Sequence, residues 1–232
     1  MSGDAAPHFQ PSRAHHAGAA GAPGRALQPA GRVPAMKALV TLAEVPAVPW
    51  KNGGGLTREL LLWPPGSTAQ DWQLRISVAE IARSGPFSAY PGIARWFCVL
   101  QGAGVALGFP DGPRVLTPDS PPLHFDGALA PGCTLLAGTT LDLNLMARQD
   151  AGRAEMGRAV AGVPWVSRAP LRACFTIGGA RLACGAASPQ ALPSGSLWWR
   201  DSDDTEAEAW QLTGAGDSGW WLAFEPLTHF SR

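Results

Sequence analysis

Charged residues are scarce in this sequence, and the two signs cancel. Only 16% of the 232 residues are charged, and 18 Lys and Arg balance 18 Asp and Glu. A chain without a basic surplus is a poor candidate for binding the phosphate backbone of nucleic acid. The sequence also lacks any apolar run of about 20 residues, the length that a membrane-spanning helix needs. We therefore predict a soluble, globular protein that binds neither nucleic acid nor a membrane.

Histidine and cysteine are also scarce, which limits the metal sites that the chain could build. The four cysteines show no CxxC or other ligand spacing, and Cys98 and Cys133 lie in apolar runs that are typical of buried, inert thiols. Beyond the first 35 residues the only histidines are His124 and His229. The N-terminus shows no apolar signal-peptide core. We predict no metal, no cofactor and a cytoplasmic location.

The first 35 residues differ in composition from the rest. Residues 1–35 are mainly Ala, Gly and Pro without periodicity, which predicts a disordered N-terminal extension. Met36, followed by KALVTLAEVP, is the predicted start of the folded body. The extension could even be an over-long assignment of the start.

Short β segments, separated by Gly and Pro, fill the folded body up to Asp150. In DWQLRISVAEI the alternation places Arg75 and Ser77 on the face opposite to Leu74 and Ile76. RWFCVL and GVALGF flank a glycine-containing turn, which is typical of a hairpin. Many short strands at about ten-residue spacing predict an all-β sandwich or barrel.

The pattern after Asp150 is weaker. AGRAEMGRAVAG predicts a short helix or an irregular linker, and RACFTIGG, ARLACGA, SLWWR and GWWLAFEPL predict further strands. The ten tryptophans are expected to pack in the core and between sheets rather than to form a ligand cage. Residues 151–232 are therefore predicted to form a second β-rich lobe.

One segment, VPWKNGGGLTREL, places Lys51 and Asn52 before three glycines, Gly53–Gly55. It is not a phosphate-binding P-loop, because that motif has its lysine after the glycines and a helix following. Two interpretations remain. The glycines turn the chain between strands and leave Lys51 and Asn52 in solvent, or they expose backbone N–H groups to a ligand that Lys51 and Asn52 also reach.

The hairpin at IARWFCVLQGAG resembles the glycine-marked hairpin of cupins. A metal-binding cupin carries two histidines and a glutamate just before it, whereas residues 90–95 here read YPGIAR. The remaining histidines cannot make the usual three-histidine site.

A second strand, LDLNLMAR, carries polar residues on one face. Asp142 and Asn144 alternate with leucines there, and together with Arg75 and Ser77 they would form a polar sheet face. Either this face is exposed or holds a structural pair of Arg75 with Asp142 or Glu59, or it lines a ligand site.

Five segments, in order over residues 45–150, together resemble the HutD/Ves family: PWKNGGGLTREL, DWQLRISVAEI, GPFSAYPGIARWFCVLQGAG, HFDG and LDLNLMAR. PWKNGGG followed by WxxRxS and GPFSxxPG is the specific part. The resemblance implies an all-β fold with a cupin-type β-barrel over residues 36–150. It also implies a second, smaller cupin-like β lobe over residues 151–232, and thus a bicupin.

The family occurs in bacteria, and some members are encoded with histidine utilisation. The resemblance implies a metal-free small-molecule-binding protein, with a regulatory role as an option. Its ligand would be a small carboxylate such as formiminoglutamate, a histidine-degradation intermediate. The alternative is a metal-independent isomerase or hydrolase that acts on such an intermediate. A homodimer is left open.

The resemblance also implies which residues form the site. The implied ligand-binding residues are Trp50, Lys51, Asn52, Gly53, Gly54, Gly55, Thr57, Arg75, Ser77, Ser88, Arg95 and Asn144. For the alternative, Glu59 or Asp142 would be the base and Lys51 the acid or electrostatic partner.

Overall fold

The computed structural model describes residues 36–203, 206–214 and 219–227. The predicted disordered extension, residues 1–35, lies outside the described residues, as does His229. The described residues form strands and a single 3-10 turn at Gly127–Leu129, so the predicted all-β fold class is confirmed. No helix among these residues has the length and apolar character needed to cross a membrane.

The strands follow in chain order: β1 (Met36–Thr41), β2 (Val48–Pro49), β3 (Gly55–Trp63), β4 (Leu74–Ile81), β5 (Gly85–Pro86), β6 (Ile93–Gln101), β7 (Val105–Phe109), β8 (Gly112–Leu116), β9 (Leu123–Asp126), β10 (Gly132–Leu135), β11 (Thr140–Arg148), β12 (Gly152–Ala159), β13 (Trp165–Ser167), β14 (Leu171–Thr176), β15 (Ala180–Cys184), β16 (Gln190–Leu192), β17 (Ser196–Asp201), β18 (Glu208–Thr213) and β19 (Gly219–Pro226).

These strands build four antiparallel sheets. The six-stranded sheet has the order β2-β3-β4-β11-β6-β9, and the first small sheet has the order β5-β10-β7-β8. The five-stranded sheet has the order β1-β17-β14-β19-β12, and the second small sheet has the order β13-β18-β15-β16.

The six-stranded sheet is buried on both faces. Its even-numbered β4 residues, such as Ile76, join Phe175 and Leu222 of the five-stranded sheet in the largest apolar cluster. Its odd-numbered face joins the first small sheet in a separate cluster that includes Phe97 and Leu107. The predicted alternation of β4 is therefore confirmed, and its polar face lies against the first small sheet, where Ser77 is 2% exposed and Arg75 19%.

The five-stranded sheet packs on the second small sheet through a third cluster. Trp198 and Trp221 of the former meet Trp210 and Leu212 of the latter. All of these indoles are buried, as expected from the tryptophan-rich sequence. Large aromatic side chains bury the most area per residue, which is why they fill an interface between two small sheets.

Two elements, β12 and β1, differ from the sequence interpretation. The segment predicted as a helix or linker is strand β12, because Met156 and Ala154 alternate toward the largest cluster and the strand pairs with β19. Strand β1 does not join the sheet formed by the residues that follow it. It pairs with β17, so it belongs to the five-stranded sheet. The division at residue 150 and the two closed barrels stay predictions.

Candidate functional site

A cavity of about 500 Å³ opens on the face of the six-stranded sheet that meets the first small sheet. Its floor is set by strand register: Glu59, Ser77, Asn144 and Phe97 lie side by side across β3, β4, β11 and β6. Because successive side chains of a strand point to opposite faces, residues two apart on each strand share this floor. Ligand sites of this size are usual for small molecules.

The cavity brings together most of the residues that the family resemblance implied. Nine of the twelve implied ligand-binding residues line it, and so do two of the three catalytic candidates, Glu59 and Lys51. The nine are Trp50, Lys51, Asn52, Thr57, Arg75, Ser77, Ser88, Arg95 and Asn144.

Arg95 is the buried cation of this cavity, being only 6% exposed. Its guanidinium carbon lies 4.9 Å from the ring centre of Phe87, 5.2 Å from that of Phe125 and 5.8 Å from that of Tyr90. Arg95 Nη2 donates to Asn144 Oδ1 at 3.0 Å, while its Nε has no hydrogen-bond partner among the described residues. Burial lowers the pKa of the guanidinium to about 10, so Arg95 is charged at neutral pH.

Arg75 has a carboxylate partner. Its Nε donates to Glu59 Oε2 at 2.9 Å, and the two side chains are 19% and 39% exposed. Of the two partners that the sequence suggested for Arg75, the structure selects Glu59 and not Asp142. The reason is strand register. Glu59 lies opposite Ser77, two residues along β4 from Arg75, whereas Asp142 lies opposite Ala79, four residues away.

The segment before β3 forms the rim. Trp50 is held by a 2.7 Å hydrogen bond from its indole Nε1 to Thr57 Oγ1. Lys51 and Asn52 are exposed and line the cavity. Asn52 Oδ1 accepts the N–H of Gly54 at 2.9 Å, which fixes the turn.

The three glycines have a different place from the one predicted. Gly53, Gly54 and Gly55 are not among the lining residues. The N–H of Gly53 donates to Trp50 O, and that of Gly54 to the Asn52 side chain, so neither points to a ligand. Gly53 adopts φ +64°, and a Cβ on Gly55 would stand 2.2 Å from the Glu80 carbonyl. The glycines therefore serve the turn and its close approach to β4.

Asp142 also lies away from the cavity lining. It is fully buried, and its Oδ2 accepts from Thr140 Oγ1 at 2.8 Å, while Oδ1 has no hydrogen-bond partner among the described residues. Burial raises the pKa of this carboxyl to about 7 despite the bond from Thr140. The structure thus does not bring Asp142 together with Lys51, and the pairing of these two as base and acid has no geometric support.

Three aromatic residues of the site were not predicted as ligand-binding residues. Phe87, Tyr90 and Phe125 surround the Arg95 guanidinium. Their segments, GPFSAYPG and HFDG, were recognised as family motifs. The signal that could have identified the side chains is the presence of aromatic residues around a strand-borne arginine, since arginine stacks favourably on aromatic faces.

The donor set does not fit a metal cation. The described cavity lining has one carboxylate, Glu59, and no histidine or cysteine, against the cations Lys51, Arg75 and Arg95. His124 instead stacks on Trp96, with 4.6 Å between ring centres. Nowhere in the described part of the chain do three His, Cys, Asp or Glu side chains gather as a metal site would require.

Comparison with known proteins identifies the family of this chain. The HutD family model matches residues 42–218. Protein Ves from Citrobacter koseri is 34% identical over 119 residues, 50% of this chain and 60% of that protein. An uncharacterized 21.2 kDa protein from the hutC 3′ region of Pseudomonas putida is 37% identical over 123 residues, 51% of this chain and 62% of that protein. The chain thus spans somewhat less than two thirds of these relatives.

Solved structures agree in fold. HutD from Pseudomonas fluorescens has a TM-score of 0.71 and 23% identity, over 82% of this chain and 99% of that one. A conserved protein of unknown function from Pseudomonas aeruginosa has a TM-score of 0.72 and 23% identity, over 83% and 100%. The Escherichia coli protein Ylba, at 0.59 and 10% identity over 81% and 90%, extends the likeness to cupin-like folds. The chain has a cupin-like all-β fold and belongs to the HutD/Ves family.

Proposed function

We propose that the protein binds a small carboxylate in the cavity that Arg95 lines. The observation that carries the proposal is the environment of Arg95. It is a buried guanidinium beside an open cavity, and within the described residues no carboxylate lies within ion-pair distance of it.

A charge in this position is expensive to bury. Removing a cation from water without a counter-ion destabilises a fold, and aromatic rings compensate only part of that loss. An anionic ligand would supply the missing counter-charge. Arginine holds a carboxylate through two parallel hydrogen bonds, which suits an organic acid better than a halide.

Neighbouring polar side chains supply specificity. Ser77 is buried on the cavity floor, and Lys51 lies exposed at the rim. Asn144 already accepts from Arg95 through its oxygen, so its amide nitrogen is a donor for a second polar group of the ligand. Buried polar groups that a ligand must satisfy discriminate strongly against analogues that lack the matching atom.

We infer that the acid is a histidine-degradation intermediate. The Pseudomonas putida relative is named for its place in the hutC region. We infer a ligand such as formiminoglutamate, which carries carboxylates and a polar nitrogen, and a regulatory role in the cytoplasm. The free, buried cysteines fit a reducing compartment.

Two further features belong to the proposal. We infer that each large sheet and its small sheet form one cupin-like barrel, which makes the molecule a bicupin with its ligand in the N-terminal barrel. The support is that one apolar cluster lies within each such pair of sheets, while the largest cluster joins the two large sheets.

The alternative function, a metal-independent isomerase or hydrolase, has one supporting observation. Glu59 and Lys51 line the same cavity, so a base and an acid are both present. Glu59 is, however, engaged by Arg75, and the second candidate base, Asp142, lies outside the lining. Binding without turnover is therefore the function that we propose.

Titration calorimetry with paired ligands tests this proposal. We expect glutarate and formiminoglutamate to bind, and their amide analogues to bind at least about tenfold more weakly, since bonds to charged groups contribute roughly 1.5–3 kcal/mol. Arg95→Met should remove the binding. Arg114→Met is the matched control, because Arg114 also lies over a phenylalanine but is exposed. Binding that survives Arg95→Met, or no carboxylate binding at all, would contradict the proposal.

A further inference from the structure

A second cavity, of about 650 Å³, adjoins the first. The two cavities share three lining residues, Glu59, Arg75 and Tyr90. The other walls of the second cavity come from three loops, residues 69–72, 89–93 and 148–150. Of the twelve ligand-binding residues implied by the sequence, only Arg75 lines this second cavity, so the space extends beyond the predicted ligand-binding set.

The two cavities differ in charge. The first has three cationic side chains against one carboxylate, so it favours an anion. The second has two guanidinium groups, from Arg75 and Arg148, and two carboxylates, from Glu59 and Asp150. Arg148 and Asp150 bind each other through two hydrogen bonds of 2.9 and 2.7 Å. A cavity wall with equal numbers of guanidinium and carboxylate groups suits a ligand group that carries both an ammonium and a carboxylate.

The side chains that line both cavities are Arg75, Glu59 and Tyr90, and we call them the partition between the cavities. Arg75 and Glu59 meet at 2.9 Å and are both partly exposed to solvent. Ion pairs with this exposure contribute little to stability, so a ligand that replaces one partner opens the partition at small cost. Tyr90 completes it, and its ring lies 5.8 Å from the Arg95 guanidinium. The route between the cavities therefore begins next to the buried cation.

We propose that the two cavities are two subsites of one binding site, and that the site takes an elongated amino acid with a carboxylate at its far end. The terminal carboxylate binds Arg95, and the chain passes Tyr90 and the Arg75–Glu59 pair. The α-ammonium group meets Glu59 and Asp150, and the α-carboxylate meets Arg75 and Arg148. This inference rests on the proposed function, because it needs the anion subsite at Arg95.

The arrangement makes a prediction about ligand length. A short acid fills only the Arg95 subsite, so its α-amino group does not reach Asp150, which lines only the second cavity. A long one reaches the second cavity, where ammonium and carboxylate each gain a charge-assisted hydrogen bond. The Trp72 side chain, buried at the wall of the second cavity, adds apolar surface for the chain.

The test is a calorimetric series on the wild-type protein. The probes are the α-amino-α,ω-dicarboxylic acids from aspartate to 2-aminopimelate, each beside the diacid without the amino group. We expect affinity to rise by at least about tenfold from the shortest to the longest amino diacid. The amino group should increase affinity only in the longer members.

Blocking variants locate the effect. Ala69→Trp and Ala89→Trp each place an indole in the second cavity from a different loop, and neither alanine lines the first cavity. Both variants should lose the length-dependent gain and keep the wild-type affinity for the short acids. Ala191→Trp, at an exposed alanine of the second small sheet, is the matched control and should behave as wild type.

The outcomes separate this inference from the proposed function. If short acids bind through Arg95 but chain length, the amino group and the blocking variants change nothing, the two-subsite inference is wrong and the carboxylate site stands. If no acid of the series binds, both are wrong. Because the ligand series uses the wild-type chain, a blocking variant that misfolds does not remove the test.

Discussion

The molecule buries arginine in two interfaces, and it treats the charge in opposite ways. Between the six-stranded sheet and the first small sheet, Arg95 has three aromatic rings, one amide and an open cavity beside it. Between the five-stranded sheet and the second small sheet, Arg172 is only 1% exposed and lies 3.5 Å from the Glu208 carboxylate. Among the described residues, Arg172 has a carboxylate counter-ion and Arg95 has none.

The packing around the two arginines also differs: tryptophan rings surround Arg172, and a cavity lies beside Arg95. Trp165 stacks on Trp221 with 5.2 Å between ring centres, and Trp198 meets Trp210 edge to face at 4.9 Å. These indoles fill the interface around Arg172, where the first interface has a cavity. The difference teaches that one fold can use the same residue type either to complete a packed core or to leave a charge for a ligand.

The two interfaces also differ in the pKa of their carboxyl groups, Glu208 and Asp142. Burial opposes the ionisation of Glu208, but bonds from Trp210 and Arg200 outweigh it and hold the pKa of that carboxyl below its usual range. Asp142 has no guanidinium partner among the described residues, and its pKa is raised to about 7. The buried carboxyl of the second interface thus has arginine partners, and that of the first has none in this part of the chain.

The largest expected effect is the loss of an indole from the packed interface. Trp210→Ala should lower the free energy of unfolding by about 3–5 kcal/mol, because a fully buried aromatic side chain is replaced by a cavity. Trp50→Ala is the comparison at the open interface. Trp50 is only half-buried at the rim of a cavity that already exists, so we expect a loss of about 1 kcal/mol. Urea denaturation of both variants measures the difference, and equal losses would break the comparison.

The next largest loss of stability separates the two arginines. Arg172→Met should cost about 1–3 kcal/mol of stability, because it removes a buried guanidinium beside Glu208, which keeps Arg200 as a second partner. Arg95→Met should change stability by less than about 1 kcal/mol and could stabilise the fold, since the arginine it removes has no counter-ion. Thermal and chemical denaturation of the two variants, without added ligand, tests this. A clear destabilisation by Arg95→Met would make Arg95 a structural residue.

The pH dependence of stability should come from Asp142. Because its folded pKa is about 7 and its unfolded pKa is about 4, the unfolded state loses a proton that the native state keeps between these values. The free energy of unfolding should therefore fall as pH rises from about 4 to 7, by roughly 4 kcal/mol, since one pKa unit corresponds to about 1.4 kcal/mol, and then level off. Asp142→Asn should remove this fall and stabilise the protein at pH 8. Denaturation curves at several pH values measure it.

The control for that experiment is Asp119→Asn, at an exposed aspartate of the turn before β9. It should reproduce the wild-type pH profile. An unchanged profile in Asp142→Asn would show that another group causes the pH dependence.

The smallest stability effect is expected at the partition between the two cavities. Arg75→Met should lower the free energy of unfolding by less than about 1 kcal/mol, because the pair with Glu59 is partly exposed. It should weaken carboxylate binding by roughly 1.5–3 kcal/mol if Arg75 also contacts the ligand. Thermal melts of wild type and variant against a panel of amino-acid derivatives compare the two effects. A large drop in melting temperature without any change in binding would assign Arg75 to the fold alone.

Much of the site could be predicted from the sequence, because alternation along a strand assigns each side chain to a face. Arg75, Ser77 and Asn144 were placed on one polar face, and they line one cavity. Alternation does not give the depth of a residue along that face. Asp142 shares the face of Asn144 but lies opposite Ala79 and Val99 and is not itself among the lining residues.

Other features depend on contacts that a sequence does not display. The N–H groups of Gly53 and Gly54 are used within the turn, which only the coordinates reveal. β12 was predicted as a helix or linker because its alternation is short and rich in small residues, and its pairing with a distant strand decides its conformation. The all-β class was predictable because it depends on many short segments at once.

The pairing of β1 with β17 has a consequence for how the chain folds during synthesis. Met36 pairs with Asp201, and Thr41 with Ser196, so the first strand has no partner until nearly the whole body has left the ribosome. At roughly 5–20 residues per second, that delay is on the order of 10 s. The binding cavity uses only residues 48–146, so its walls are all synthesised while β1 still waits. Every residue that lines the cavity is therefore synthesised before β1 gains its partner, and we expect a ligand of the cavity to stabilise this part of the chain during synthesis.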